Sequence, residues 1–420
     1  MIKTNQQIAS EKPEAAFWIA ELSSRERSTL VATFAGWMVD GLDVMAYSFV
    51  LPTLIVVWNL TKGQAGVLGT SALLISSAGG WLAGILADRF GRVRVLSITI
   101  LWFAVFTFAS GFTQNFDQLL VVRGLQGLGF GGEWAVGSVL MGETIRTRFR
   151  GKAVGTVQAG WAIGWGISAF FYTILFWLLP STIAWRAMFW IGIMPALLVF
   201  YIRRHVSEPD TFRVAVRKQP ASFLAIFAPP LLRTTLLASL VSLGAQGGYH
   251  AITTWLPLYL KTSRGLTALN TAGYLAIVIA GSFAGYLTAA LLTDRLGRRY
   301  TLILFAVCSC LTAICYTVLP ISNGIMLVLG FPLGFFASGS FSPLGAFFTE
   351  LFPTSLRASG QGFSYNLGRG VGALFPTLVG YFSAHNSLGH SIAVFAVGAY
   401  LAMICGVVLL PETRGQELLQ

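Results

Sequence analysis

The sequence predicts an all-α membrane protein with twelve transmembrane helices arranged as two six-helix repeats. Three observations support this prediction. The 420 residues are 55% hydrophobic and only 10% charged, whereas a soluble globular protein carries about 25% charged residues. Twelve apolar stretches have about the length that crosses a bilayer as a helix, which is about 20 residues. Two loop motifs of the first half recur in the second half at nearly constant spacing.

The twelve apolar stretches are called spans 1 to 12 in chain order. They are predicted at residues 29–58, 64–87, 95–113, 118–142, 153–179, 184–203, 234–260, 269–292, 300–320, 324–348, 358–384 and 388–410. A polar gap between spans 6 and 7 separates the halves. The predicted domains are therefore an N-terminal segment (1–28), an N-terminal six-helix bundle (29–203), a central loop (204–233), a C-terminal six-helix bundle (234–410) and a tail (411–420).

The basic residues predict the orientation of the spans. Of the 28 Lys and Arg, 22 fall in the two termini and in the loops that follow spans 2, 4, 6, 8 and 10. We call this the basic side; the opposite side carries four, and Arg123 and Arg369 lie within spans. Cytoplasmic loops are enriched in Lys and Arg, so both termini are predicted to be cytoplasmic. The net charge of +12 then reflects topology rather than nucleic-acid binding.

Two loop motifs repeat between the halves. "GILADRFGRVRVL" after span 2 recurs as "AALLTDRLGRRYTL" after span 8, which maps Asp88 onto Asp294 with an offset of 206. After span 4, Glu143 maps onto Glu350 after span 10 with an offset of 207. Parallel repeats are typical of alternating-access carriers, whose substrate site lies near the membrane midplane between the halves.

Three motifs resemble those of the major facilitator superfamily. "GILADRFGRVR" is similar to the superfamily's signature after the second helix, "RGLQGLGFGGEW" (123–134) to its fourth-helix motif, and "PETRG" (411–415) to its C-terminal signature. The resemblance covers nearly the whole chain. It implies the twelve-helix fold and secondary transport, with no bound cofactor and no metal.

Within that superfamily, two stretches resemble the proton symporters for organic acids. These are "DGLDVMAYSFVLPTL" in span 1 and "FSYNLGRGVGALFPTLVG" in span 11. The group includes carriers of aromatic acids, muconate, sialic acid and lactate. The resemblance implies a small carboxylate and protons as partners, no nucleic acid, and a monomeric multi-pass protein of a bacterial cytoplasmic (inner) membrane.

The repeated loops are predicted to form a gate on the basic side. Their aspartates can accept hydrogen bonds from a neighbouring helix end, their arginines lie among carboxylates, and their glycines permit tight turns. We expect the gate to close when the opposite side is open; the alternative is that the loops only anchor and fold the protein. The predicted gate residues are Asp88, Arg89, Arg92, Glu143, Arg150, Asp294, Arg295, Arg298, Glu350 and Arg357.

Only three carboxylates, Asp40, Asp43 and Glu133, lie deep within predicted spans. An ionised group at the centre of a membrane helix costs about 2.5–3.5 kcal/mol, so each should face a partner or a water-filled cavity. Asp40 and Asp43 share one helix face, and two close carboxylates resist being ionised together. The three are therefore predicted to couple protons, with Asp43 favoured. Arg123 is expected to pair with an aspartate of span 1, and a static ion pair is the alternative.

Arg369 is the only arginine deep in the second half, where no carboxylate lies deep. A guanidinium binds a carboxylate through two parallel hydrogen bonds. The sequence therefore predicts an anionic substrate with Arg369 as its main ligand and Arg123 as the second candidate. Tyr365 and Asn366 would complete the ligand shell. The alternative is that Arg369 lies near the basic side or pairs with a carboxylate of the first half.

Two stripes at helical spacing are predicted to line a cavity. A polar stripe in span 7 interrupts an otherwise apolar helix, and its members share one face. A second stripe in span 5 would stack on a flat or conjugated substrate, and simple packing is the alternative. The residues are Gln246, Tyr249 and His250 in span 7, and Gln158, Trp161 and Trp165 in span 5.

Other functional classes fit the sequence less well. A carrier of sugars or other neutral solutes would line its cavity with amides rather than charges. Drug exporters of this superfamily usually have a Gly-Pro kink in the fifth helix, and "GTVQAGWAIGWGIS" (155–168) has no proline. The sequence shows no nucleophile–base pair and no nucleotide-binding loop, so it does not predict an enzyme. The four cysteines lie in apolar runs without the spacing of metal ligands.

Overall fold

The computed structural model describes residues 18–146, 149–208, 223–353 and 357–414. Twelve helical spans run through them, as the sequence predicted. Spans 1–5, 8, 9 and 12 are single helices, at Ser24–Val57, Lys62–Phe90, Arg92–Ser110, Phe116–Thr144, Arg150–Leu178, Ala268–Leu296, Arg298–Thr317 and Leu388–Leu409. Short 3-10 helices cover Trp18–Glu21, Ile191–Ile193 and Phe223–Phe227.

The other four spans, predicted as unbroken, each consist of two consecutive helices. Each break lies within the four residues before a proline, at Pro195, Pro257, Pro343 or Pro376. Proline has no backbone N–H to donate to the carbonyl four residues earlier, and its ring collides with that carbonyl. The helices are Ser181–Trp190 and Pro195–His205 in span 6, Pro229–Thr253 and Leu256–Thr262 in span 7, Asn323–Gly339 and Phe341–Leu351 in span 10, and Arg357–Gly372 and Leu374–Phe382 in span 11.

Span 1 begins at Ser24, earlier than the predicted residue 29. Ser23 accepts a hydrogen bond from the backbone N–H of Glu26, and the Glu26 side chain accepts one from the N–H of Ser23. This reciprocal capping pair satisfies two of the free donors at a helix N-terminus. The charged residues of this turn concealed it from an assignment based on hydropathy.

Nine helices in the described part of the chain are long and apolar enough to cross a membrane by length and composition. The three spans not among them, spans 4, 7 and 11, each carry a buried charged or titratable group. These groups are Glu133, His250 and Arg369, respectively. Span 1, which is among the nine, also carries buried charges, Asp40 and Asp43. In all four spans these groups are covered by other helices.

The two halves repeat the same glycine-mediated helix crossings. A Cβ atom at Gly79 in span 2 would collide with the carbonyl of Leu128 in span 4, and one at Gly285 in span 8 would collide with the carbonyl of Phe335 in span 10. Small residues let membrane helices approach closely. The positions correspond at the offsets of 206 and 207 found in the sequence, so the internal repeat extends from the loops into the packing.

Replacing Gly79 by alanine is expected to destabilise the protein by about 1–3 kcal/mol, because the colliding atoms belong to a backbone that cannot rotate away. The measurement is the apparent melting temperature of the purified protein in detergent. Gly398→Ala is the matched control, since nothing lies within 4 Å of a Cβ there; it should melt at or slightly above the wild-type temperature. Equal melting of both variants would contradict the close crossing.

The halves contact each other on both sides of the molecule. Towards the opposite side, the hydroxyl of Thr70 in span 2 donates to the carbonyl of Ala373 in span 11 at 2.6 Å. Towards the basic side, span 5 packs on span 8, where a Cβ at Gly155 would lie 2.7 Å from that of Ala290. The conformation is therefore closed at both ends.

Candidate functional site

A closed cavity lies between the two halves. Spans 1, 4 and 5 line it from the first half, and spans 7, 8, 10 and 11 from the second. Every lining side chain is at most 6% exposed, so the cavity is occluded. The lining residues are Trp37, Phe130, Gln158, Trp161, Gln246, Tyr249, His250, Tyr286, Phe341, Tyr365 and Arg369.

Arg369 is the principal cation of this cavity and is only 2% exposed. It lies in the last turn of the first helix of span 11, just before the break. Its guanidinium carbon lies 4.9 Å from the ring centroid of Phe130 and 5.1 Å from that of Tyr365. The aromatic faces contribute a favourable cation–π attraction. Its Nη1 atom has no hydrogen-bond partner, which leaves a charged donor available inside the cavity.

Aromatic rings form most of the wall on the side of the first half. The ring of Trp37 lies 4.5 Å from that of Trp134 and 5.0 Å from that of Trp161. Trp161 also donates its indole N–H to the hydroxyl of Tyr249 at 2.6 Å, which joins span 5 to span 7 across the interface. Flat, rigid walls of this kind complement a planar ligand.

The structure does not bring every predicted ligand into this cavity. Asn366 faces span 2 instead, where its Oδ1 lies 2.7 Å from the position of a Cβ at Gly80. Trp165 is buried but is not part of the lining. Arg123 lines a separate cavity in the first half. Helical spacing identified the correct faces of spans 5, 7 and 11, but not how far along each face the cavity extends.

Sequence reasoning missed several lining residues. Trp37 lies three residues before Asp40, and Phe130 three residues before Glu133, so each shares a helix face with a carboxylate that the sequence did identify. This shared helix face could have identified Trp37 and Phe130 as lining residues. Tyr286 in span 8 and Phe341 in span 10 carry no such signal in the sequence.

Asp40 and Glu133 form a buried carboxyl pair beside the central cavity. The two carboxyl groups are close enough to interact, and a Cβ at Gly36 would collide with Oε1 of Glu133. Among the described residues, no donor reaches any of the four carboxyl oxygens. Two carboxyl groups can hydrogen-bond to each other only when a proton lies between them. Asp40 is also within electrostatic reach of Arg369.

Asp43 lies in a different environment from Asp40, although the sequence predicted that they would act as a pair. It accepts a hydrogen bond from the amide of Gln126 and lines a second cavity together with Arg123. The Arg123 guanidinium stacks 4.2 Å from the ring centroid of Tyr47 and donates from Nε to the carbonyl of Leu68 at 3.3 Å. Among these described side chains, the expected direct ion pair between Arg123 and an aspartate is absent.

Neither cavity offers a metal site. In the part of the chain that the structure describes, no group of three or more His, Cys, Asp or Glu side chains is arranged to hold a metal ion. The side chains that line the central cavity can form hydrogen bonds and ion pairs and can exchange protons.

The family is shown by comparison with known proteins. The model of the Major Facilitator Superfamily matches residues 33–375 and again residues 275–420. The chain belongs to the major facilitator superfamily. Members of this family are transporters rather than enzymes, and this member is a multi-pass protein of the cytoplasmic (inner) membrane.

Two bacterial relatives in the superfamily match over almost the whole chain. A protein of Cupriavidus pinatubonensis named "probable 4-methylmuconolactone transporter" is 45% identical over 400 residues, covering 95% of this chain and 93% of the relative. The "cis,cis-muconate transport protein" of Acinetobacter baylyi is 30% identical over 390 residues, covering 89% and 91%. A solved structure of the proton:xylose symporter XylE shares the fold, with a TM-score of 0.74, 19% identity and coverage of 94% and 98%.

In this superfamily member, the loop that follows span 2 is capped on the basic side by a carboxylate that the sequence analysis did not identify. Glu208, after span 6, accepts from the backbone N–H groups of Arg92 and Val93 at 2.9 and 2.8 Å. A carboxylate at a helix N-terminus is stabilised by the free N–H groups and the helix dipole. The turn requires glycine, because Gly91 has φ of 99° and a Cβ there would lie 2.5 Å from Glu208.

The second half repeats this arrangement. Glu412, after span 12, accepts from the N–H groups of Arg298 and Arg299 at 2.9 and 3.0 Å. Gly297 has φ of 100° and faces Glu412 as Gly91 faces Glu208. The sequence contained one sign of this repeat. The short stretches "SEP" (207–209) and "PET" (411–413) place the two glutamates at an offset of 204.

The predicted gate is described only in part. Arg298 makes two bonds to Glu350, at 2.9 and 3.1 Å, and thereby joins the loop after span 8 to the end of span 10. Arg295 is exposed, and Arg92 donates to the carbonyl of Ala87 at 3.1 Å. The side chains of the other predicted gate residues lie outside the described part of the chain: Asp88, Arg89, Glu143, Arg150, Asp294 and Arg357.

Glu412→Gln is expected to lower the stability of the protein by about 1.5–3 kcal/mol, because an amide nitrogen cannot accept and the bonds lost are charge-assisted. Glutamine keeps one acceptor oxygen, so one of the two bonds from the N–H groups of Arg298 and Arg299 is lost and the other loses its charge assistance. The apparent melting temperature in detergent measures the effect. Arg414→Gln, which changes an exposed neighbouring side chain, should melt as the wild type does. If Glu412→Gln does the same, Glu412 does not stabilise this end of the protein.

Proposed function

We propose that the protein is a proton-coupled symporter that imports an organic acid anion by alternating access. The observation that carries the proposal is the Nη1 atom of Arg369, a charged donor without a partner in a closed, aromatic cavity. A buried donor left unsatisfied costs about 1–3 kcal/mol, and more for a charged group. A carboxylate that enters the cavity would recover this cost, so the site is built for an anion.

The aromatic wall and the relatives support the class of anion. The indole rings of Trp37 and Trp161 present flat surfaces next to Arg369. A planar conjugated acid would stack on them while its carboxylate meets the guanidinium. Relatives named for 4-methylmuconolactone and cis,cis-muconate agree with this class. We therefore propose an aromatic acid, or a conjugated acid derived from ring cleavage, as the substrate.

The carboxyl pair provides a route for proton coupling. When the Asp40–Glu133 pair carries a single negative charge or none, Asp40 competes weakly for Arg369, and the guanidinium is free to bind the substrate carboxylate. Loss of the proton restores the charge on Asp40 and favours release of the anion. Substrate and proton would thus stabilise each other's binding through Arg369, which is the reciprocity that symport requires.

Alternating access follows from contacts that close each end. Opening towards the opposite side would separate Thr70 from span 11, and opening towards the basic side would separate span 5 from span 8. We propose that the basic side is cytoplasmic, as the positive-inside bias predicts, and that the domain boundaries predicted above divide the two moving bundles. The cavity is assembled within one chain, so a monomer suffices for function.

A neutral-solute carrier remains the alternative that the fold itself admits, since XylE shares the fold. A sugar presents many hydroxyl groups and needs many amide or carboxylate partners. Of the described side chains that line this cavity, only Gln158 and Gln246 are amides, and the buried Arg369 is the only arginine or lysine. The cavity therefore favours the anion.

A thermal-shift screen of the purified protein tests the proposal. Benzoates, muconate, monocarboxylates and xylose are compared at an acidic and at a neutral pH. Ligands that bind the native state raise the melting temperature by mass action. We expect stabilisation by conjugated acids only, and more of it at acidic pH, because the carboxyl pair must hold a proton. Stabilisation by xylose instead, or by none of the acids, would refute the proposal.

A further inference from the structure

Two further polar atoms in the central cavity have no partner. The amide nitrogen Nε2 of Gln246 and the ring nitrogen Nδ1 of His250 make no hydrogen bond in the structure. The side chains are only 3% and 4% exposed, and both line the cavity. They are one helical turn apart on span 7, whereas Arg369 belongs to span 11. The cavity thus has a second polar region on a different helix from the guanidinium.

Packing contacts hold in place the segment of span 7 that carries both side chains. Tyr249, on the same helix face, accepts the indole N–H of Trp161 at 2.6 Å, so its oxygen is already engaged. Span 11 approaches span 7 so closely that a Cβ at Gly372 would lie 2.9 Å from that of Gln246. One turn away from Gln246, the hydroxyl of Ser242 donates to the carbonyl of Tyr365 at 3.0 Å. The second region is therefore preorganised and is not created by the ligand.

The charges decide what this region accepts. Among the described lining residues, Arg369 is the only arginine or lysine. Arg369 also interacts electrostatically with His250. A protonated, positively charged His250 would therefore be repelled by the guanidinium. Gln246 is neutral. A second carboxylate placed here would be buried without a cation, which is far more costly than burying a neutral acceptor.

We propose that Gln246 and His250 form a second subsite that binds a neutral carbonyl oxygen of the substrate. The preferred ligand is then a planar conjugated monocarboxylate whose far end carries a lactone, ketone or amide carbonyl. Arg369 holds its carboxylate, and the amide of Gln246 donates to its carbonyl oxygen, assisted by the ring of His250. This inference rests on the proposed organic-acid transport and narrows its substrate class.

The test uses two ligand series that differ only at the far end. The first is 4-methylbenzoate, 4-carbamoylbenzoate and terephthalate; the second is sorbate, the monoamide of trans,trans-muconate and trans,trans-muconate itself. Dissociation constants are measured calorimetrically on the full chain in detergent at neutral pH. In at least one series, the neutral carbonyl compound should bind about tenfold tighter than the methyl compound, since one neutral hydrogen bond is worth about that much. The dicarboxylate should not exceed it.

Gln246→Leu should remove this preference while leaving the affinity for the methyl compound within about twofold, because the guanidinium site is untouched. Replacing an unsatisfied buried amide by an apolar group of similar size should not impair folding. His250→Phe should reduce the same ratio. Ser242→Ala, on the same helix, is the packing control, since it changes the span 7–span 11 contact but leaves the ratio intact.

The outcomes separate this inference from the proposed function. If the acids bind but all members of a series bind equally, or Gln246→Leu weakens all of them alike, the second subsite is wrong and organic-acid transport stands. If the dicarboxylate binds tightest, the subsite is selective for charge and the neutral-carbonyl assignment is wrong. If no member of either series binds, the organic-acid proposal itself falls, and this inference falls with it.

Discussion

Arg369→Ala is expected to weaken binding of the organic acid by about 2–5 kcal/mol, or at least about thirtyfold, since a buried charged partner of the carboxylate is removed. Arg369 presents an unpartnered Nη1 to the closed cavity and is backed by the rings of Phe130 and Tyr365. No other arginine or lysine belongs to the described lining, so no other fixed cation there can bind the carboxylate. Binding is measured by calorimetry on the purified protein.

Two companion variants keep this result interpretable. Arg369→Lys retains the charge but loses the two-bond fork, so its affinity should lie between those of the wild type and Arg369→Ala. The double variant Arg369→Ala, Asp40→Asn removes the carboxylate that would otherwise lose its cation, and it should fold but still not bind. Wild-type affinity in Arg369→Ala would place the anion elsewhere, with Arg123 as the next candidate.

Asp40→Asn is expected to separate transport from the proton gradient. An asparagine at this position can donate to Glu133 but can no longer compete for Arg369, so substrate binding should lose most of its pH dependence. In proteoliposomes, exchange of labelled for unlabelled substrate should continue, while accumulation driven by a pH gradient should fall to a ratio of about one, because the coupling free energy between proton and substrate is lost. Parallel exchange and gradient assays measure both.

Glu133→Gln makes the opposite prediction and serves as the matched comparison. A glutamine would donate to Asp40 and hold it ionised beside Arg369, so the substrate should bind more weakly at every pH. Asp43→Asn tests the prediction made from the sequence alone, which favoured Asp43 as the proton carrier. If Asp43→Asn loses accumulation and Asp40→Asn retains it, proton coupling belongs to the cavity shared by Asp43 and Arg123 rather than to the carboxyl pair.

The contrast between Asp40 and Asp43 shows where sequence reasoning reached its limit. Residues three apart on a helix lie about a sixth of a turn apart, which counts as one face in a helical projection. In the packed molecule that angle, together with the rise of about 4.5 Å between the two residues, places them opposite different residues of the same neighbouring helix. Asp40 meets Glu133 of span 4, and Asp43 meets Gln126, seven residues earlier in the same span. Spacing alone does not reveal which side chain stands opposite.

The basic side illustrates the same limit at the loops. The repeat of Asp88 and Asp294 was visible because both loops keep the pattern Asp-Arg-x-Gly-Arg. Glu208 was not identified, and Glu412 was noted only as part of "PETRG", because these glutamates lie 116 and 114 residues along the chain from the residues that they cap. Only the folded chain brings each glutamate to the N-terminus of span 3 or span 9.

The sequence by itself determined the twelve-span architecture, the internal repeat and the set of buried charges. Composition and local periodicity decide these features. A segment in lipid must form hydrogen bonds to its own backbone groups, and each charged side chain in it needs a partner or a water-filled cavity. The tertiary structure alone decided that Arg369 opens into an aromatic cavity, that Asp40 pairs with Glu133, and that Gln246 and His250 are left without partners. These facts depend on which helix faces meet, and long-range packing sets those contacts.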